Sequence, residues 1–236
     1  FEQTLRELIR EHESPGLAWA TARPETPATS PQPRPRVIGH RGAKGLWPEN
    51  SLSGFAEVAR MPGLDGVEFD LHLTADGEVV VTHDAQLQRT TTGHGPVMLH
   101  SLAELRALRL RAGSKRAPLI LDETIPTLDE VLAILGPSGL ELHVELKCDP
   151  LGAPYPGLPA RVLAQIHAAG LAGQSILTSF SPGVLEEIRA LDRDIPVLAS
   201  VNHRSMQMLG GPLRCLERFD RVSGCILAIE NSLVDP

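Results

Sequence analysis

The amino-acid sequence predicts an α/β fold in which parallel strands are covered by helices. From residue 37 onward, short apolar segments typical of strands alternate with amphipathic segments typical of helices. The strand candidates begin near residues 37, 66, 78, 140, 176, 197 and 222. A (β/α)8 barrel needs one strand more than these seven. Three alternatives follow: the last strand of a barrel is absent from the sequence, the sheet is open, or one strand escapes the pattern.

The single elements are predicted from their own patterns. At 128–135, apolar residues at helical spacing share one face, and Thr127 suits the N-cap. Alternating stretches at 66–74 and 78–82 are separated by the turn residues Asp76-Gly77. Further helices are expected at 50–59, 102–108, 160–169, 184–191 and 213–219.

The N-terminal residues are predicted to lie outside the folded domain. Residues 1–36 would form a short helix and a Pro-rich arm, because the first residues have helical spacing and five prolines lie at 24–35. Arg34 and Arg36 in this arm are expected to be solvated. The folded domain would span residues 37–236.

Composition and charge exclude several classes of function. The chain has 29 acidic and 22 basic residues, a net charge of −7, so no nucleic-acid partner is expected. Three cysteines without C-x-x-C spacing favour a reducing compartment, the cytoplasm, over a disulfide framework or a zinc site. The first residue is Phe1, so a periplasmic or secreted protein whose leader was removed is the alternative. No apolar run approaches the ~20 residues of a membrane span.

Four polar clusters fall at or near the ends of predicted strands, where α/β barrels place catalytic groups. They are Gly39-His40-Arg41-Gly42 with Pro48-Glu49-Asn50, then Glu68-Phe69-Asp70-Leu71-His72, Thr82-His83-Asp84 and His143-Val144-Glu145-Leu146-Lys147. Taken singly, each has a structural explanation: a turn with surface side chains, a solvated edge strand or a structural histidine. Taken together, they place acids, bases and cations at one barrel mouth.

The carboxylates in these clusters predict a metal site. Alternation along a strand places Glu68, Asp70 and His72 on one face, and it aligns Glu145 with Lys147. Carboxylates on an otherwise buried strand are costly unless a cation neutralises them. Three acidic oxygens suit Mg²⁺ or Ca²⁺ better than Zn²⁺.

The remaining charged groups indicate chemistry on phosphate. The planar fork of Arg41 suits phosphate oxygens, and Lys147 adds a second cation. Two histidines, His40 and His83, allow one imidazole to take a proton as the other gives one. The residues therefore indicate metal-assisted cleavage of a phosphodiester, and they leave the substrate open.

Several motifs together resemble the glycerophosphodiester phosphodiesterase family. They match in order and spacing over roughly residues 37–201, and motifs in register are a more specific signal than any one motif. The matching stretches are Gly39-His40-Arg41-Gly42, Pro48-Glu49-Asn50-Ser51, Val67-Glu68-Phe69-Asp70 with Thr74-Ala75-Asp76-Gly77, Val80-Val81-Thr82-His83-Asp84, Arg89-Thr90-Thr91, Ile125-Pro126-Thr127-Leu128, Val144-Glu145-Leu146-Lys147 and Thr178-Ser179-Phe180.

The resemblance implies a TIM-type (β/α)8 barrel with a small insertion after the third strand, at about residues 87–125. Family members close the barrel with an eighth strand that carries a Trp-Thr signature. The only tryptophans here are Trp19 and Trp47, so the last strand is expected to be missing.

The resemblance also implies an activity and a role for each site residue. The reaction would be hydrolysis of a small glycerophosphodiester to glycerol 3-phosphate and an alcohol. Glu49 would lie near the metal or orient His40, and both alternatives stay open. The implied roles are His40 and His83 as the acid–base pair, Glu68, Asp70 and Glu145 as ligands of Mg²⁺ or Ca²⁺, Arg41 as the phosphate-binding residue and Lys147 as its assistant.

Two further hypotheses accompany this one. The same site could act on lysophospholipids, as a lysophospholipase D does, or on other phosphodiesters. A non-catalytic barrel that binds a phosphorylated ligand or a partner protein is a different class of function, and the missing strand and the Pro-rich arm motivate it. The enzyme is favoured because every expected catalytic position holds a chemically competent residue.

Overall fold

The computed structural model of the protein describes residues 34–114 and 117–233. The strands in these residues are β1 (Ile38–Gly39), β2 (Gly66–Leu73), β3 (Val79–Val81), β4 (Arg111–Ser114), β5 (Ala117–Ile120), β6 (Glu141–Leu146), β7 (Ser175–Ser179), β8 (Val197–Val201) and β9 (Cys225–Ile229). The helices are α1 (Leu52–Val58), α2 (Leu102–Arg106), α3 (Leu128–Leu135), α4 (Leu158–Ala168), α5 (Pro182–Leu191), α6 (His203–Met208) and α7 (Pro212–Asp220). None of these helices is long and apolar enough to cross a membrane.

The main sheet has the order β1-β2-β6-β7-β8-β9, and all of these neighbours are parallel. All seven strand candidates found in the sequence belong to this sheet. Six of them form the parallel series, and the seventh, β3, pairs with β2 outside that series. Over the described residues, no backbone ladder joins β9 to β1. The described sheet is therefore an open series of parallel strands with helical connections, as a barrel without its closing strand would be.

One strand departs from the all-parallel sheet that the alternation of strands and helices predicts. β3 pairs with β2 in the antiparallel sense, with Leu71 opposite Val81. The cause is the short turn at Asp76-Gly77, where Gly77 adopts φ +84°. A parallel pair needs a crossover of about a dozen residues or more, whereas a tight turn joins only antiparallel strands.

The pairing registers place β3 on the same edge of β2 as β1. β6 pairs with β2 from Gly66 to Leu71, and β3 pairs with it from Leu71 to Leu73. Leu71 pairs with both strands, so β3 and β6 lie on opposite edges of β2. β1 covers only the first two residues of β2, Gly66 and Val67, and β3 covers its last three, from Leu71 to Leu73.

The core lies between the sheet and the helices that cover it. The predicted helix at 128–135 is α3, and its N-terminus has a capping box in which Thr127 and Glu130 satisfy each other's backbone N–H groups. All four apolar residues of its predicted face are buried. In the same core, Phe55 of α1 packs edge-on against Phe69 of β2, with ring centroids 5.8 Å apart.

The segment between β3 and α3 forms a small core of its own. Buried apolar side chains make this cluster: Val80, Leu87, Val97, Leu105, Leu110 and Ile125. The expected helix near residue 102 is present as α2, but the β4–β5 hairpin was not predicted, because residues 111–120 lack an alternating pattern. Helix α6 was also missed, since its six residues are too few to show helical periodicity.

The N-terminal helix and most of the Pro-rich arm fall on residues 1–33, which lie outside the described residues. The two arginines of the arm are exposed as expected, but both are ion-paired. Arg34 makes a bidentate contact with Asp65 at 2.7 and 2.8 Å, and Arg36 donates to Glu141 at 2.9 Å. These pairs attach the start of the described chain to Asp65, just before β2, and to Glu141, the first residue of β6.

The close approach of β2 and β6 predicts that Gly66→Ala is destabilising. A Cβ at this position would lie 2.7 Å from the backbone oxygen of Glu141 and 2.8 Å from Ile38 Cδ1. Because the backbone oxygen cannot move without separating the strands, we expect a loss of about 1–3 kcal/mol in the free energy of unfolding. The midpoint of urea unfolding, followed by circular dichroism, measures it. Gly173→Ala is the matched control, since no atom lies within 4 Å of its added Cβ, and equal midpoints for the two variants would contradict the packing described.

Candidate functional site

The three predicted carboxylates meet at the carboxyl ends of two adjacent strands. Asp70 of β2 is the register partner of Glu145 of β6, so the two side chains stand next to each other on one face of the sheet. Glu68 lies two residues earlier on β2 and shares that face. One oxygen from each of the three carboxylates lies within 4.8 Å of the others. The described residues thus contain the acidic cluster that the sequence predicts.

Burial makes it costly in free energy to keep all three carboxylates ionised. Asp70 is fully buried, and Glu68 Oε1 is buried with no hydrogen-bond partner in the described structure. Burial, together with the charges of Asp70 and Glu145, raises the pKa of Glu68 to about 8. Burial is also the first cause of the raised pKa of Glu145. An unpartnered buried oxygen beside two further carboxylates is a donor set that fits a hard divalent cation.

Two side chains stabilise the ionised form of Asp70. The Nζ atom of Lys147 lies 2.9 Å from Asp70 Oδ1 and also donates to Glu145 Oε1. Asn50 donates from Nδ2 to Asp70 Oδ2 at 2.9 Å. Burial raises the pKa of Asp70, but the charge of Lys147 and these hydrogen bonds outweigh it, and the net pKa is lowered. For Lys147, burial lowers the pKa, and the charges of Glu145 and Asp70 reverse that effect.

The loop after β1 carries His40 and Arg41 in a strained conformation. Arg41, Gly42 and Ala43 have φ of +51°, +68° and +58°, a left-handed run that is costly for residues with a Cβ atom. Gly42 is required here for a second reason, since a Cβ would lie 3.0 Å from the ring of Phe55. The backbone N–H of Arg41 donates to Glu68 Oε2 at 2.9 Å, which ties the loop to the carboxylate cluster.

The guanidinium of Arg41 is only partly satisfied. Its Nη1 donates to Glu49 Oε1 at 3.2 Å. Its Nε lies 3.6 Å from Asp70 Oδ2 and has no hydrogen-bond partner among the described residues. Arg41 therefore keeps donor capacity at the edge of the cluster.

His40 is a half-exposed imidazole beside the cluster. Its Nε2 lies 3.7 Å from Glu68 Oε2. Burial lowers the pKa of His40 to about 4, and the charges of Arg41 and Lys44 add to this effect. The charge of His83 lowers the pKa further.

His83 approaches the cluster from β3. Because β3 runs antiparallel to β2, the chain after Val81 returns alongside Asp70, and Thr82 donates from its backbone N–H to the carbonyl of Asp70 at 2.9 Å. Burial lowers the pKa of His83, and the charges of Lys147 and Arg41 contribute. In both histidines, burial thus favours the neutral imidazole.

Two other histidines from the polar clusters have structural contacts. His72 is buried, its Nε2 donates to the carbonyl of His83 at 3.1 Å, and its Nδ1 lies 2.9 Å from the hydroxyl of Tyr155. His143 contacts Glu141 at 2.8 Å and is not part of the carboxylate cluster. Alternation along the strands places both on the site face, but their hydrogen bonds direct them to other partners.

Arg89 and Asn50 are the two residues near the site for which the sequence predicts no role. Arg89 bridges Glu49 and Asp84 across 40 and 5 residues of chain. Partial burial raises the pKa of Glu49, but hydrogen bonds from Arg89 and the charges of Arg89 and Arg41 outweigh it, and the net pKa is lowered. Both residues lie in motifs that carry the family resemblance, Arg89-Thr90-Thr91 and Pro48-Glu49-Asn50, but the motifs alone assign neither side chain a contact.

Comparisons with known proteins agree with this geometry. Residues 40–224 match the model of the glycerophosphoryl diester phosphodiesterase family. A glycerophosphodiester phosphodiesterase of Caldanaerobacter subterraneus is 34% identical over 155 residues, which are 66% of this chain and 62% of that protein. One of Bacillus subtilis is 32% identical over 184 residues, 72% of this chain and 60% of that protein. The chain thus spans about three fifths of the length of these curated relatives.

A solved structure extends the likeness to three dimensions. A phosphodiesterase of Oleispira antarctica, in complex with the product sn-glycerol-3-phosphate, is 32% identical with a TM-score of 0.65. The match covers 85% of this chain and 77% of that one. This confirms the predicted α/β barrel class. The family match runs from His40 to beyond β8 and includes every predicted site residue. The chain therefore belongs to the glycerophosphoryl diester phosphodiesterase family.

Proposed function

We propose that the protein hydrolyses glycerophosphodiesters to glycerol 3-phosphate and an alcohol. The observation that carries this proposal is the convergence of Glu68, Asp70 and Glu145. His40 lies beside Glu68, and the chain that leads to His83 is hydrogen-bonded to Asp70 through Thr82. The activities named for the relatives, and the product bound to one of them, support the substrate class.

The acidic cluster would hold a divalent cation, Mg²⁺ or Ca²⁺. Its three carboxylates are oxygen ligands of the kind that these ions prefer, and Glu68 Oε1 is buried without another partner. When bound, such an ion neutralises negative charge on a phosphoryl group.

Arg41 and Lys147 would hold the phosphate. Arg41 Nε is an unused donor beside the cluster, and a guanidinium fork matches phosphate oxygens in geometry. Lys147 is a buried cation between Asp70 and Glu145, and it adds positive charge at the same place.

His40 and His83 would transfer the protons. Hydrolysis forms a P–O bond to the attacking oxygen and breaks the P–O bond to the alcohol. One imidazole, in its neutral form, takes the proton of the attacking hydroxyl, and the other, as an imidazolium, gives a proton to the departing alcohol oxygen. The lowered pKa of each histidine keeps the base form available near pH 7. The assignment of base and acid stays open.

The first test is turnover itself. Purified protein with Mg²⁺ or Ca²⁺ is expected to release glycerol 3-phosphate from glycerophosphocholine, measured by phosphorus NMR, and a chelator should stop it reversibly. A parallel reaction with lysophosphatidylcholine separates the lysophospholipase D alternative. No turnover on any glycerophosphodiester with metal present would contradict the proposal and favour the non-catalytic barrel.

The two histidines predict a matched set of variants. His40→Ala and His83→Ala are each expected to lower kcat by about 10²–10⁴-fold, the usual contribution of a positioned acid or base. His167→Ala is the control, because His167 is an exposed residue of α4 that pairs with Asp192. Circular dichroism checks that all three fold. Activity retained in either site variant would exclude that residue from proton transfer.

Metal binding is predicted to strengthen as the pH rises from about 6 to 8. Without metal, Glu68 has a pKa near 8 and is mostly protonated at pH 7, whereas the ligand form is ionised. Binding must therefore release a proton, and the affinity should rise by up to about tenfold per pH unit below that pKa.

Calorimetry in two buffers of different ionisation enthalpy measures both the affinity and the proton release. Glu145→Gln removes one charged ligand and should weaken binding at every pH. Binding with no proton release at pH 7, or unchanged affinity in Glu145→Gln, would contradict the proposed ligand set.

A further inference from the structure

A chain of ion pairs beside the acidic cluster joins the loop that carries Arg41 to the loop that carries His83. Arg89 donates from Nη1 and Nη2 to the two oxygens of Glu49, each at 2.7 Å. It also donates from Nε and Nη2 to the two oxygens of Asp84. Glu49 accepts a further bond from Arg41, and Asp84 contacts His83 Nδ1 at 2.6 Å. Neither Asp84 nor Arg89 belongs to the predicted ligand, phosphate-binding or acid–base groups.

The contact between Asp84 and His83 determines which nitrogen of the imidazole carries the proton. Hydrogen bonds from Arg89 and His83 outweigh burial and lower the pKa of Asp84 to about 2, so this carboxyl is ionised. An ionised carboxylate only accepts hydrogen bonds. His83 Nδ1 must therefore bear the hydrogen, which leaves the lone pair of the neutral ring on Nε2.

The main chain of His83 is held separately from its ring. The buried His72 donates to the His83 carbonyl at 3.1 Å, and the Thr82 N–H is bonded to the Asp70 carbonyl at 2.9 Å. The rotation of the ring is not fixed by these backbone contacts. Asp84 is the one described side chain that hydrogen-bonds the ring.

Arg89 holds together two carboxylates that would otherwise repel each other. Its four hydrogen bonds use three nitrogens of one planar group, which a lysine ammonium cannot reproduce. Glu49 and Asp84 come from the loops after β1 and β3, so the position of Arg89 sets the distance between those loops.

We propose that Asp84 and Arg89 are positioning residues. Asp84 holds His83 as the Nδ1–H tautomer, with Nε2 free to accept or return a proton. Arg89 fixes Asp84 to Glu49 and thereby fixes the His83 loop to the Arg41 loop. This inference rests on the proposed function where it gives His83 a proton to transfer, but the tautomer can be observed without turnover.

The tautomer is tested by nitrogen-15 NMR of the imidazole rings at about pH 8, where neutral rings dominate. His83→Gln assigns the signal of His83. Wild-type His83 is expected as the Nδ1–H form, and Asp84→Ala should shift it towards the Nε2–H form. Asp122→Ala, at an exposed carboxylate of the same segment, is the control and should change nothing. An Nε2–H form in the wild type, or an unchanged tautomer in Asp84→Ala, would overturn the role of Asp84.

Steady-state kinetics on glycerophosphocholine provides the second measurement. Asp84→Ala is expected to lower kcat by about 10- to 100-fold, as loss of an orienting partner usually does, with KM changed by less than about threefold. Where Asp84→Ala does not fold by circular dichroism, Asp84→Asn keeps the shape. Its amide can accept from or donate to Nδ1, so a mixture of tautomers is expected, and a single unchanged tautomer overturns the proposal.

Arg89 is tested against a matched arginine. Arg89→Lys should lower kcat by about tenfold or more because one ammonium cannot span both carboxylates, while Arg109→Lys, in an exposed pair with Asp122, should leave it unchanged. Equal effects of the two substitutions would overturn the role of Arg89. A wild type that is inert on every glycerophosphodiester would defeat the proposed function, and the NMR result would still decide the tautomer.

Discussion

Burial of three carboxylates at the ends of two neighbouring strands is the constraint on which the site depends. Asp70 and Glu145 are register partners, so the pairing of β2 with β6 forces two negative charges side by side. Like charges in a buried place are costly unless cations and hydrogen bonds compensate them. Lys147 and Asn50 compensate Asp70, but Glu68 keeps an unpartnered buried oxygen and a raised pKa. The fold thus assembles an acidic cluster whose negative charge the protein's own groups neutralise only in part. A divalent cation would neutralise the rest.

The strained loop after β1 follows from the same cluster. A left-handed run at Arg41, Gly42 and Ala43 persists only where the surroundings hold it. Here Glu68 accepts from the Arg41 N–H, and the Asn50 N–H donates to the Arg41 carbonyl at 3.1 Å. Asn50 then reaches Asp70 with its side chain. One short loop therefore satisfies two of the carboxylates and presents His40 and the guanidinium of Arg41 beside them.

The sequence predicts those features that depend on local pattern. Alternation along each strand places Glu68 with Asp70 and Glu145 with Lys147, and the expectation that strand ends meet at a barrel mouth brings the two pairs together. The apolar face of 128–135 and its Thr127 cap identify α3. The sequence also contains the information that makes β3 antiparallel, because a tight turn at Asp76-Gly77 cannot join parallel strands. The bridge from Arg89 to Glu49 spans 40 residues and depends on where two loops meet in space. No spacing in the sequence predicts such a contact. The motif around Arg89 contributes to the family resemblance but does not indicate which side chains Arg89 binds.

The position of the site within the sheet explains why its geometry does not depend on the strand at the far edge. All predicted site residues come from β1, β2, β3 and β6 and their loops, which are neighbours in the sheet order. β7 contributes the following Phe180, whose ring lies 5.6 Å from Lys147 Nζ, and β9 lies three strands away from β6. His83 in particular is placed by the β2–β3 hairpin, a local structure with a fixed register. Its distance from Asp70 is therefore set by the turn at Gly77 and by the Thr82 hydrogen bond. The ring orientation is the one remaining degree of freedom, and the ion-pair chain through Asp84 and Arg89 is positioned to remove it.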